Sequence, residues 1–262
     1  MASPIVFGQG LAGTGVDTAT LYPDYFSVNV IWVNSAGGSN ANAGTEPELP
    51  LATLAQAVTN ATAGACIAIA ATHAETVAST ITVNKSGLTF VGFGVGNARP
   101  TLTPASGATV VFNLTTANNV TFQNIYFKAA VATSGAAGRI ASANTGTKIL
   151  NCQFDCGAND QEAVILTADH ARLDSCTFTA VGSRPTRALG MANNNTNVEV
   201  NNCTFDGASF GWAGNAVTCN GVTNMILRNI TLAGNSDING TGTVSYQLYG
   251  IQCSGASRVT LT

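Results

Sequence analysis

The chain has 262 residues, 45% of them hydrophobic and only 9% charged, against about 25% charged in an ordinary soluble domain. Ten basic and thirteen acidic residues leave a net charge of −3, which excludes a protein that holds nucleic acid through a basic surface. The apolar content excludes a disordered or acidic solvating chain. The longest apolar run, Ala65 to Ala71, falls far short of the ~20 residues of a membrane span.

Met1-Ala2-Ser3-Pro4 has neither a basic nor an apolar leader region, so no secretory signal is expected. Residues 1–29 are glycine-rich and aromatic. They predict an arm that docks on a partner through Phe7, Leu11, Tyr22, Tyr25 and Phe26. The plainer alternative is a segment folded back as a cap. Ile31-Trp-Val33 then reads as a strand, followed by a Gly/Asn loop. Apolar residues at helical spacing after Pro50 (Leu51, Leu54, Ala55, Val58) predict a short amphipathic helix up to Asn60. Residues 30–62 are thus read as a cap and residues 63–262 as the body.

The body repeats. Val120–Phe127, Thr147–Phe154, Ala171–Phe178, Val198–Phe205 and Met225–Leu232 align without gaps, 24 to 27 residues apart. Leu88–Val95 is a weaker copy, and Val259–Thr262 reads as a partial last one. In each unit two apolar residues alternate, a polar turn residue follows (Asn124, Asn151, Ser175, Asn202, Asn229), and two more apolar residues alternate after it. A further strand precedes each unit, for example at Ala163–Leu166, Ala188–Met191 and Gly250–Cys253. Three short strands and three turns per repeat predict a solenoid of about six to seven coils with three parallel sheets. Like residues then meet at ~4.8 Å. Phe127, Phe154, Phe178, Phe205 and Leu232 form one internal column, and Ile125, Cys152, Cys176, Cys203 and Ile230 another. The cysteines serve here as small apolar filler. The asparagines form a turn ladder. On this reading the last coil is left open after Leu261, to be covered by a neighbouring subunit.

Of the seven cysteines, Cys152 and Cys156 lie four apart, but no second pair or His cluster completes a metal site, and no cofactor is expected. His73 and His170 stand alone, and His73 reads as a surface or turn residue.

Asn40-Ala-Asn-Ala-Gly-Thr45, Thr53-Leu-Ala-Gln-Ala57 and Gly64-Ala-Cys-Ile-Ala-Ile69 together resemble the entrance of right-handed parallel β-helix proteins of the pectate-lyase-like superfamily. The resemblance covers about residues 30–262. It implies an all-β, single-stranded parallel β-helix with a short N-terminal capping helix. The superfamily includes polysaccharide lyases, hydrolases, esterases, phage tailspikes and non-catalytic virion proteins, so the fold does not choose an activity.

In the enzymes resembled, the outer face of the strand before each ladder unit forms the active cleft. Its outward positions here are read as Ala141, Ala163, Ile165, Ala188, Gly190, Ala216, Thr218, Gly250 and Gln252, which are uncharged. Two carboxylate sets remain for a catalytic alternative. Asp160 and Glu162 lie in turns next to Arg184 and Arg187, with Phe210 and Trp212 one coil further as a sugar-stacking platform. Asp155 and Asp206 occupy the same repeat position two coils, ~10 Å, apart. The plainer reading is ordinary surface charge, as with Arg172 and Glu199 on neighbouring coils. The leading expectation is a non-catalytic structural component of a larger assembly. By the resemblance this is a phage virion protein made in the host cytoplasm, forming a head decoration, fibre or spike. It would contact other virion proteins and copies of itself, with trimers the common order, and bind neither nucleic acid nor membrane. The alternative is a polysaccharide-binding or polysaccharide-degrading tailspike domain.

Overall fold

The computed structural model describes residues 29–105, 110–129, 138–157, 162–182, 184–191, 195–242 and 245–262. The arm expected at the N-terminus, with Phe7, Leu11, Tyr22, Tyr25 and Phe26, lies outside the described residues.

Short alternating runs, many of them ended by a residue that tolerates a left-handed backbone, make strands joined by sharp corners. The strands form three parallel sheets. Sheet 1 has nine, from Val30–Val33 through Lys148–Leu150, Arg172–Asp174 and Glu199–Asn201 to Tyr246–Tyr249. Sheet 2 has eight, from Ala74–Val77 to Gln252–Cys253, and sheet 3 has eight, from Ile81–Val83 to Val259–Leu261. The chain visits sheets 1, 2 and 3 in turn, and each strand pairs with its counterparts on adjacent coils. This is a right-handed parallel β-helix, with eight or nine strands per sheet against the six to seven coils expected.

Helix α1 (Leu54–Asn60) caps the entrance and buries Leu54, Ala57 and Val58. It starts later than the apolar spacing suggests because Thr53 is its N-cap, with Oγ1 accepting from the Gln56 N–H at 3.3 Å. Leu51 instead bridges to Val33. Asn40 Oδ1 accepts from the Ala52 and Thr53 N–H groups, which ties the Gly/Asn loop to the helix entry.

Sheet 1 passes to sheet 2 at a single residue. Asn124, Asn151, Ser175, Asn202 and Asn229 all have φ between 50° and 57°, the region where a short polar side chain is best tolerated after glycine. Asn151 Nδ2 donates to Asn124 Oδ1 at 3.1 Å, and Asn229 Nδ2 donates to Asn202 Oδ1 at 3.0 Å. Ser175 cannot reach its neighbours in this way, and Asp174 replaces it in the ladder. The Asp174 Oδ1 accepts from Ser175 Oγ at 2.9 Å and from Asn202 Nδ2 at 3.0 Å.

Inside, Phe127, Phe154, Phe178 and Phe205 stack with centroids 4.8, 4.6 and 4.9 Å apart and planes within 8° of parallel. Beside them run buried Ile125, Cys152, Cys176, Cys203 and Ile230. The thiols are free. Burial pushes Cys152 up, and a bond with Cys176 together with burial pushes Cys203 up, so these two are poor in nucleophilic thiolate.

The last coil departs from the repeat reading. Tyr246–Tyr249 pairs with Met225–Arg228 in sheet 1, and Gln252–Cys253 belongs to sheet 2. A further copy of the unit therefore starts at Tyr246, with Gly250 at the ladder position (φ 61°). Glycine satisfies the corner without the amide that marks the other copies. Val259–Leu261 pairs with Ile238–Gly240 in sheet 3 and is not the start of a ladder unit.

Phe178→Ala is expected to cost about 3–5 kcal/mol in urea unfolding, because the stack cannot close around the gap. Asn202→Ala is expected to cost about 1–2 kcal/mol more than Asn202→Gly, since both lose the amide bonds but only alanine strains the left-handed corner.

Candidate functional site

The outer column of sheet 3 runs through Asn113, Ala141, Ile165, Gly190, Thr218 and Asn239, all uncharged and all register partners. Ala163, Ala188 and Ala216, expected outside, are fully buried. The chain carries two consecutive buried residues as it enters sheet 3 (Ala163-Val164, Ala188-Leu189, Ala216-Val217), so strict alternation slips there. Gly250 and Gln252 lie in a corner and in sheet 2.

Glu162 and Arg187 begin two strands of sheet 3, Glu162–Leu166 and Arg187–Met191, rather than lying in long turns. They are register partners, with Arg187 Nη1 2.5 Å from Glu162 Oε1. Burial pushes the Glu162 carboxyl up against the opposing pull of Arg187. Its Oε2 fills the space above Gly190, 2.6 Å from where a Cβ would stand. Arg184 is exposed, and Asp160 lies outside the described residues.

Asp155 and Asp206 share one outward column of sheet 2 with Thr179 between them, two rungs apart as the repeat predicts. Neither faces open solvent as a free base. Asp155 accepts a close hydrogen bond from the Tyr126 hydroxyl. Burial, then that bond, then the carboxylate's charge push the Tyr126 phenol well up. Asp206 Oδ1 accepts from the Ala208 N–H at 2.7 Å and holds a left-handed turn there (φ 48°).

Trp212 corrects the stacking-platform reading. It is 2% exposed, and its Nε1–H donates to Ser236 Oγ at 2.8 Å. Ser236 Oγ also donates to the Ala233 carbonyl and accepts from the Gly207 N–H. The indole therefore anchors the turn, whose exposed tip is Phe210. Nothing in the local sequence distinguishes this tryptophan from a surface one, because its partner comes from the next coil.

His73 closes a turn, its N–H donating to the Ala70 carbonyl at 3.0 Å, but it is 1% exposed and not on the surface. Its Nδ1 accepts from the Ser35 N–H and its Nε2 lies on Glu75 Oε2, both at 3.0 Å. Glu75 in turn accepts from the Leu54 N–H at the start of α1. The residue types are those of a hydrolase triad, but the Ser35 hydroxyl is paired with Ala74, accepting from its N–H and donating to its carbonyl. A nucleophile must face its base, so this cluster holds the cap. Arg172 pairs at 2.6 Å with Asp174 in its own strand, although Glu199 is its register partner.

A second ladder was missed in the sequence. Asn119, Gly146, His170, Asn197 and Asn224, each immediately before an aligned unit, all have φ between 55° and 77°. They form the corner from sheet 3 to sheet 1. Asn224 Nδ2 donates to Asn197 Oδ1, and Asn197 Nδ2 meets His170 Nε2, both at 3.2 Å. The signal was a column of left-handed-tolerant residues one position before the repeat, obscured by its mixed chemistry. Among the described residues no group of three or more His, Cys, Asp or Glu side chains is placed to hold a metal ion, and no helix is long and apolar enough to cross a membrane.

No protein-family model matches the chain, and no curated protein matches it. Solved structures do. The structure of sacteLam55A from Streptomyces sp. SirexAA-E matches with a TM-score of 0.53 at 8% identity, over 72% of this chain and 38% of that one. Pectin methylesterase from Aspergillus niger matches with a TM-score of 0.53 at 16% identity, over 87% of this chain and 86% of that one. ORF18 of Geobacillus virus E2 matches with a TM-score of 0.45 at 13% identity, over 94% of this chain and 61% of that one. The chain thus spans well under half the length of the first of these. What the first two share with this chain is the parallel β-helix fold.

The ion-paired ladder predicts a pH dependence. Partial burial acts against Asp174, but hydrogen bonds from Arg172, Asn202 and Ser175 hold its carboxyl below the ordinary value of 3.8. A depressed folded-state value adds stability above that pH and loses it as pH falls through the lower folded value. Urea midpoints measured from pH 5 down to pH 2 are expected to fall less steeply in Asp174→Asn than in the native chain.

Proposed function

We propose that the chain is a non-catalytic structural module of a larger assembly, a virion head-decoration, fibre or spike subunit that presents rigid β-helix faces to neighbouring proteins. One observation carries this reading. Among the described residues, the nominated carboxylates Asp155, Asp206 and Glu162 are each engaged by a group of the same chain, and the tryptophan that would seat a sugar is buried. With a charge content of 9%, the sheet 3 column from Asn113 to Asn239 is itself uncharged and is overlain only at Gly190 by the neutralised Glu162–Arg187 pair, a face suited to cover by protein.

In this proposal residues 1–29 are the docking arm, with Phe7, Leu11, Tyr22, Tyr25 and Phe26 as anchors. The partners are other virion proteins and copies of the chain, a trimer by analogy with the phage proteins it resembles. The net charge of −3 argues against nucleic acid as a partner. The second reading, a polysaccharide-binding or polysaccharide-degrading spike domain, is favoured by the Glu162–Arg187 pair with exposed Arg184 and Phe210 on neighbouring turns. The fold likeness to a pectin methylesterase is consistent with it.

Light scattering of the purified chain, with and without residues 1–29, tests the proposal. A defined oligomer whose mass falls without the arm is expected. A monomer in both forms overturns the assembly reading.

A further inference from the structure

The corner ladder from sheet 3 to sheet 1 has one polarity. Ser245 Oγ donates to Asn224 Oδ1 at 2.7 Å, Asn224 Nδ2 donates to Asn197 Oδ1 at 3.2 Å, and Asn197 Nδ2 faces His170 Nε2 at 3.2 Å. A carboxamide nitrogen carries only donors. Nε2 must therefore accept, and the imidazole proton sits on Nδ1. The whole run ends on one lone pair, and acid removes it by placing a proton on Nε2.

We propose that this ladder is a proton-driven polarity switch, in which protonation of His170 reverses every side-chain hydrogen bond from His170 to Ser245. After reversal His170 Nε2–H donates to Asn197 Oδ1, Asn197 Nδ2 donates to Asn224 Oδ1, and Asn224 Nδ2 donates to Ser245 Oγ. Three bonds replace three, and the first becomes charge-assisted. Breaking only the His170–Asn197 contact would instead leave two donors opposed. Each amide reverses by a half turn about its terminal torsion, which is two-fold in shape, so the backbone corner stays in place. Ser245 Oγ has the capacity required. One lone pair already accepts the Asn224 N–H at 2.9 Å, and the other receives Asn224 Nδ2 once the hydroxyl proton turns away.

The charged groups around this corner are Lys148, Asp169, Arg172 and Glu199; Lys148, the register partner of Arg172 on the preceding coil, is exposed, and the other three are engaged. Asp169, next to His170 in the chain, accepts from the Thr196 N–H at 2.7 Å. Arg172, on the following strand, is paired with Asp174. Glu199, on the next coil, accepts from Asn201 Nδ2 at 3.3 Å. Among the described residues none of them forms an ion pair with the imidazole.

The switch reaches a cavity of about 260 Å³ whose lining includes Asn197, Asn224 and Ser245 together with Glu199, Ile226 and Tyr246. Protonating a residue outside that lining thereby exchanges donors for acceptors within it. The ladder at the other corner contains no imidazole, and its amides run to Asp174 and to the Gly92 and Gly94 carbonyls.

Side-chain nitrogen NMR of the full chain between pH 8 and pH 5 tests this. At pH 8 the His170 ring is expected to show an unprotonated Nε2. On acidification the carboxamide signals of both Asn197 and Asn224 are expected to shift with the His170 midpoint. The Asn224 shift should vanish in His170→Asn, which suits the φ of 57° at that position, with His170→Gln as the second variant. A protonated Nε2 at pH 8, a response confined to Asn197, or an Asn224 shift that survives either variant overturns the proposal.

Discussion

Coils stacked in register at ~4.8 Å place each side chain against its counterpart one repeat away, and the rest of the molecule follows from which residues tolerate that repetition. Aromatic rings tolerate it well, as the four-ring stack from Phe127 to Phe205 shows. Carboxamides do so at corners because each has a donor end and an acceptor end, so a column of them bonds to itself. Like charges tolerate it poorly, and the chain has only 9% charged residues. Some of the charges that do occur are paired. Glu162 meets Arg187 across a rung, and Arg172 turns to Asp174 within its own strand.

Much of this was legible in the sequence. The repeat exposed the first ladder, the phenylalanine column and the cysteine column, because each depends on one position recurring with one chemistry. The second ladder recurs by backbone conformation instead. Asn119, Gly146, His170, Asn197 and Asn224 share a left-handed φ but no common side chain. Gly250 hid the last copy of the unit in the same way. Residues whose roles depend on another coil were the hardest to place. Trp212 is buried through Ser236, 24 residues on, and His73 through Ser35, 38 residues back. The three alanines entering sheet 3 were misplaced because alternation slips there.

The same stacking bears on function. A solenoid face suited to catalysis must hold at least two ionisable groups in a constellation that the ladder does not absorb. Among the described residues, the carboxylates nominated for that role are each engaged by a neighbour in the strands and turns. Asp206 holds a turn, Asp155 holds Tyr126, and Glu162 lies over Gly190 against Arg187. They support the scaffold, in keeping with the structural module proposed above.

The most direct test of that account is turnover. Product release from pectin, pectate and neutral glucans would be followed for the full chain beside Glu162→Ala, Asp155→Ala and Asp206→Ala. No release above buffer is predicted from any of the four. Release by the native chain that disappears in one of the variants would contradict the account and identify that carboxylate as catalytic.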